Sequence, residues 1–210
     1  MVSAKLQNDR GDLMASVDDP GSIFIEFASI LNYPNPDLED SISKCCDQLN
    51  QDQLFDITKP LQQFQLFVQG SSLAQLEELY TELFDTNPAF CLYVGYHLFG
   101  DGYERSRFLQ ELTRRFRSTG FTVEGELPDH LTVILRFLGQ NNKTSLANEL
   151  IQDAIVPTLE KITQMPEDIA KKSLSDRFKT TYSLVLTALV LLLKRLFPQQ
   201  QLVQDGLDNG

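Results

Sequence analysis

The sequence predicts an all-α protein, a single-domain helical bundle of about nine or ten helices. Apolar residues recur three and four positions apart along most of the chain, the spacing of one helix face. Prolines and glycines cut that pattern into helix-sized pieces. Alternation of apolar and polar residues, the mark of a half-buried strand, is confined to the short "FTVEGEL".

In chain order, "SIFIEFASILNY" reads as a first helix stopped before Pro34. Pro36 suits the first turn of the next, "DLEDSISKCCDQLN", where Leu38, Ile42, Cys45, Cys46 and Leu49 share one face. "QDQLFDITKPLQQFQLFVQG" reads as two short helices, broken before Pro60 and ended by Gly70. "SSLAQLEELYTELFD" opens on a capping box, Ser72 with Gln75. Pro88 is expected to start "PAFCLYVGYHLF", which Gly100 stops. Asp101 and Glu104 resemble a second capping box, for a helix closed by Gly120. Pro128 is expected to open a helix whose buried stripe is Leu127, Leu131, Ile134, Leu135 and Leu138. A long helix bent near Pro157 and a last one from Pro166 to about Phe197 complete the bundle. Residues 1–20 and 198–210 read as flexible tails around one domain, 21–197.

The totals narrow the function. Of 210 residues, 42% are hydrophobic, enough for one real core. Acidic residues outnumber basic ones, 29 to 18, for a net charge of -11. Such a chain repels nucleic acid and anionic membrane, unless the charge serves solubility alone. The longest apolar stretch, "YSLVLTALVLLL", is too short for a membrane span, which needs about twenty residues. With no signal-like N-terminus, a cytoplasmic location is expected. The three cysteines form no Cys-x-x-Cys pair and read as buried, reduced thiols. Two histidines are too few for a zinc or dinuclear metal site. No phosphate-binding glycine loop or nucleophile elbow is present, so no catalytic residue and no cofactor is assigned.

Three segments still concentrate chemistry. In "GELPDHLTVILRFLG", Asp129 suits a first helical turn, where free amide hydrogens favour an anion. Asp129 and His130 could instead grip a partner, one accepting and one donating hydrogen bonds. In "YHLFGDGYERS", His97 ends a helix, Gly100 takes the left-handed turn and Asp101 caps the next helix. In "LYTELFD", Tyr80, Leu83 and Phe84 share a face that is either core or ligand groove.

Together, "LYTELFD", "CLYVGYHLFGDGYERS" and "GELPDHLTVILRFL" resemble the central block of the respiratory nitrate reductase assembly chaperones (the delta subunit, NarJ). These lie within the TorD/DmsD group of redox-enzyme maturation proteins. The resemblance implies a TorD/DmsD-like helical chaperone without catalytic activity. It would bind the N-terminal segment of a molybdenum enzyme's catalytic subunit, nitrate reductase foremost, and keep the apoprotein ready for cofactor insertion. Peptide contacts would fall on Tyr80, Leu83, Phe84, Asp129 and His130. His97, Gly100, Asp101, Arg105 and Pro128 would be architectural. Proteins that deliver the molybdenum cofactor are further possible partners. Two other readings stay open: a permanent helical subunit of an oxidoreductase complex, and a small hydrolase using His97 or His130.

Overall fold

The computed structural model describes residues 20–163 and 174–198, with 174–180 as backbone only. The described residues form ten α-helices: α1 (Pro20–Ile30), α2 (Leu38–Gln51), α3 (Phe55–Gln69), α4 (Leu73–Tyr80), α5 (Val94–Phe99), α6 (Tyr103–Ser118), α7 (Leu131–Asn141), α8 (Ser145–Glu149), α9 (Val156–Thr163) and α10 (Leu174–Leu196). A π-helical turn, Thr81–Asp85, prolongs α4, and another, Leu150–Ile155, joins α8 to α9. Among the described residues there is no strand, only one isolated bridge between Tyr93 and His130. The fold is all-α, as the periodicity predicts.

Helix α1 lies between α7 and α2, α2 packs on α3, and α3 on α10. Helix α10 also packs on α9, while α5 sits between α6 and the α8–α9 arm. The α1–α7 seam is close because residue 139 is glycine. A β-carbon there would stand 2.5 Å from Cδ1 of Ile25. The core has two aromatic centres. Phe116 stacks on Phe137 at 4.5 Å, with Phe121 edge-on to both. Tyr182 is ringed by Phe64 and Phe84 at 4.9 and 5.1 Å. Among the described residues, no helix is long and apolar enough to cross a membrane. Cys45 and Cys46 are buried free thiols, and Cys91 is half-buried. Burial pushes the Cys46 thiol up to about 11.

Several boundaries differ from the sequence expectation. Pro60 lies inside one continuous α3 instead of dividing two helices. Its missing N–H frees only the carbonyl of Asp56, itself an exposed residue, while Ile57, Leu61, Phe64 and Val68 stay buried on both sides of it. Pro88 starts no helix, since α5 begins at Val94. Pro128 precedes the helix it is expected to open, and His130 is the N-cap of α7. Both shifts share a cause. Val94 N–H donates to the carbonyl of Asp129 at 2.9 Å, and Leu131 N–H to that of Leu92 at 2.8 Å. Pairing two connections requires extended backbone at Tyr93 and His130, so the helices start only after them, at Val94 and Leu131. Leu127 therefore falls outside the buried stripe and is 47% exposed, while Leu131, Ile134, Leu135 and Leu138 are fully buried. Asp101 with Glu104 forms no capping box, because Gly102 is the N-cap of α6 and makes no side-chain cap bond. "FTVEGEL" is an irregular connection. Near Pro157, where a bend is expected, a π-helical turn, Leu150–Ile155, runs directly into α9. The expected Pro166 helix start and most of both tails lie outside the described residues.

Candidate functional site

The paired connections before α5 and α7 make a corner in which the "ELPDHL" residues meet those of "YVGYHLFGDGYERS". The bridge fixes Asp129 with its carboxylate fully buried. Oδ2 accepts from Arg105 Nε at 2.9 Å, and Oδ1 from Nη2 at 3.5 Å. The remaining arm of the guanidinium, Nη1, donates to exposed Asp101 at 2.9 Å. Its plane also faces the rings of Tyr93 and Tyr96, at 5.2 and 5.9 Å. Burial alone would lower the arginine, but the bonds and charges of Asp129 and Asp101 outweigh it and raise it instead.

Asp129 is thus neither first-turn chemistry nor a free acceptor. Its cation is the chain's own Arg105. Gly95 makes the pair possible: a β-carbon there would stand 2.6 Å from Asp129 Oδ2 and 2.9 Å from Phe108 Cδ1. Asp101, expected as a helix cap, is drawn to Arg105 instead.

His130 is buried, its Nδ1 2.8 Å from the Thr132 hydroxyl and its ring edge-on to Tyr93 at 4.9 Å. Burial holds it below the ordinary histidine value, against the opposing charges of Glu126 and Asp129. Tyr93 donates its hydroxyl to Glu126 at 2.8 Å, and burial with that bond pushes it up to about 12. His97 does end a helix. Its Nε2 lies 2.7 Å from the carbonyl of Cys91, and burial lowers its value. Gly100 takes the left-handed φ of 68°.

Tyr80, Leu83 and Phe84 are buried core residues. A π-helical turn follows Tyr80, and Leu83 and Phe84 within it are buried on the face that the i, i+3, i+4 spacing predicts. Tyr80 donates its hydroxyl to the Leu31 carbonyl at 3.1 Å and packs on Phe84 at 4.9 Å. Outside it stands Tyr33, edge-on at 5.5 Å and 47% exposed.

None of the five expected contact residues is open to solvent in this conformation. What the corner presents is a rim of Tyr33, Asp85, Tyr93, Glu126 and Leu127. Glu126 raises Asp85, second to burial, which places the two carboxylates in one neighbourhood. Sequence reasoning missed this rim because it joins three segments far apart in the chain, those between α1 and α2, α4 and α5, and α6 and α7. Asp85, Tyr93, Glu126 and Leu127 all fall inside the quoted segments, but nothing in those runs marks them as one surface. Among the described residues, no group of three or more His, Cys, Asp or Glu is placed to hold a metal ion.

The described residues define an all-helical fold that a solved structure shares. A crystal structure described as a redox enzyme maturation protein from Archaeoglobus fulgidus superposes with a TM-score of 0.50 at 20% identity. The match covers 80% of this chain and 93% of that one. The model of the nitrate reductase delta subunit family matches residues 51–167, more than half of the chain. The chain belongs to that family. No curated protein matches.

Proposed function

We propose that this protein is a cytoplasmic assembly chaperone without catalytic activity. It binds the N-terminal segment of a molybdenum oxidoreductase's catalytic subunit, nitrate reductase foremost, and keeps the apoenzyme competent for cofactor insertion. The observation that carries this reading is the delta-subunit family match. It spans every residue of the corner except Tyr33.

The geometry supports it. The rim pairs aromatic surface with two carboxylates, which suits a cationic, amphipathic segment. Tyr33 and Tyr93 meet the segment first. Tyr80, Leu83, Phe84, Asp129 and His130 lie one layer beneath, and moving Tyr33 aside uncovers the ring of Tyr80. Ordering a disordered leader offsets much of the gross contact energy, so affinity near 1 μM, on the order of 8 kcal/mol, is expected for a releasable complex.

Calorimetry with a peptide of about the first thirty residues of the reductase subunit tests the proposal. Wild-type protein should bind, and a Tyr33→Ala, Glu126→Gln double variant should bind at least about tenfold more weakly. Absence of wild-type binding rejects the reading. The family's description as a subunit favours one second reading, a permanent component of the complex. Purified mature reductase decides between them: a chaperone is absent from it, and a subunit remains at fixed stoichiometry.

A further inference from the structure

Thr132, whose hydroxyl meets His130, also lines a hollow of about 470 Å³, walled by α1, α7 and the link between α6 and α7. Ile25 and Phe121 give it an apolar lining, while Asn32, Glu124, Thr132, Arg136 and Gln140 give it polar walls. Thr132, Arg136 and Gln140 stand at successive turns of α7, so the trough runs about 12 Å along the helix. Arg136 is its single cation. Nη2 donates to the backbone carbonyl of Glu124 at 2.9 Å. Nε is buried without a hydrogen-bond partner, and among the described residues no carboxylate forms an ion pair with this side chain. A buried guanidinium N–H left unpaired is costly, and its natural complement is a carboxylate.

We propose that this trough is a binding site for an extended segment of a partner polypeptide carrying an acidic side chain, whose carboxylate pairs with Arg136. An extended chain rises about 3.3 Å per residue, so three or four residues match the trough's length. Asn32 and Gln140 carry both donors and acceptors, which suits backbone amides on either side of the acidic residue. A free phosphate would meet one cation and fill little of the volume. The trough is distinct from the aromatic rim and asks for the opposite charge, so it stands or falls separately from the leader-binding reading.

The probe is the peptide acetyl-Val-Glu-Thr-amide, with its Gln counterpart and inorganic phosphate as controls. No reductase sequence is involved. The readout is the Arg136 Nε–H resonance in NMR titration of the full chain. The Glu peptide should shift that resonance to saturation, with the Gln peptide about tenfold weaker. A Thr122→Trp variant, which fills the trough from its exposed wall and leaves Arg136 in place, should lose the shift. A second readout comes from charge: Arg136 helps hold His130 down, so a carboxylate beside it should raise the histidine's titration midpoint. Equal response to Glu and Gln peptides overturns the proposal. So does saturation by phosphate as readily as by peptide, which would make this a simple anion site. So does a shift with protein concentration alone, which would assign the trough to a second copy. Retention of the shift in Thr122→Trp would place the peptide elsewhere and also overturn it.

Discussion

Asp129 shows how much one buried carboxylate can demand of its neighbours. With both charges largely out of water, the pair is favourable only because Arg105 meets it at 2.9 Å through a directed N–H. Removing the cation strands the anion. Arg105→Met should therefore cost about 3–5 kcal/mol of unfolding free energy, read from urea denaturation. Asp129→Asn, which keeps the shape and an acceptor, should cost less. Equal losses would mean that packing, not charge, holds the corner. Gly95→Ala belongs to the same argument. The added methyl meets the Asp129 carboxylate oxygen and the Phe108 ring, so about 1–3 kcal/mol should be lost. Alanine at Gly102, which has open space around it, serves as the control. The ion pair itself was invisible from sequence. Twenty-four residues separate its partners, and a first-turn aspartate is the commoner reason for an Asp after proline.

At the scale of elements, local chemistry was the most readable. The Ser72–Gln75 box is formed in both directions, with the hydroxyl accepting from Gln75 N–H and the amide oxygen from Ser72 N–H. Ser72→Ala should cost about 1 kcal/mol, measured by denaturation, and a loss near zero would show that tertiary contacts alone hold the start of α4. Gly100 and Gly120 end helices as expected because each takes a positive φ, which the residue type itself permits. Prolines were less reliable guides. Pro60 is tolerated inside α3, and Pro88 and Pro128 sit ahead of helices rather than in their first turns. In each case long-range pairing or core burial outweighs a local preference worth about 3 kcal/mol or less. The π-helical turn at Thr81–Asp85 left no signature either.

For the whole molecule, charge and protonation give two further expectations. His97 and His130 are both held below their ordinary value in the folded state, chiefly by burial. The unfolded chain then binds protons more readily, so stability is fully present above about pH 6.5 and is lost as pH falls through the folded-state values. Melting temperature should drop on acidification from about pH 7 to about pH 5, and a His97→Asn, His130→Gln variant should show a shallower drop. An unchanged slope would mean that carboxylates, not these histidines, set it. The net charge of -11 and the acidic rim should also make leader binding weaken as salt rises, as tighter screening shortens the reach of the field. A dissociation constant insensitive to salt would leave the rim carboxylates without a role in recognition.

By itself the sequence determined the helical class, most of the segment order, the capping box, the glycine stops, and the run of residues shared with the delta-subunit family. These depend on spacing and on near neighbours, which a chain carries in its order. Tertiary structure alone decided that Arg105 closes on Asp129, that Tyr80, Leu83 and Phe84 lie beneath a rim, and that α1 and α7 part around Arg136. Each is set by which distant surfaces share a limited apolar interior, and that choice is made by the packing of all the helices together.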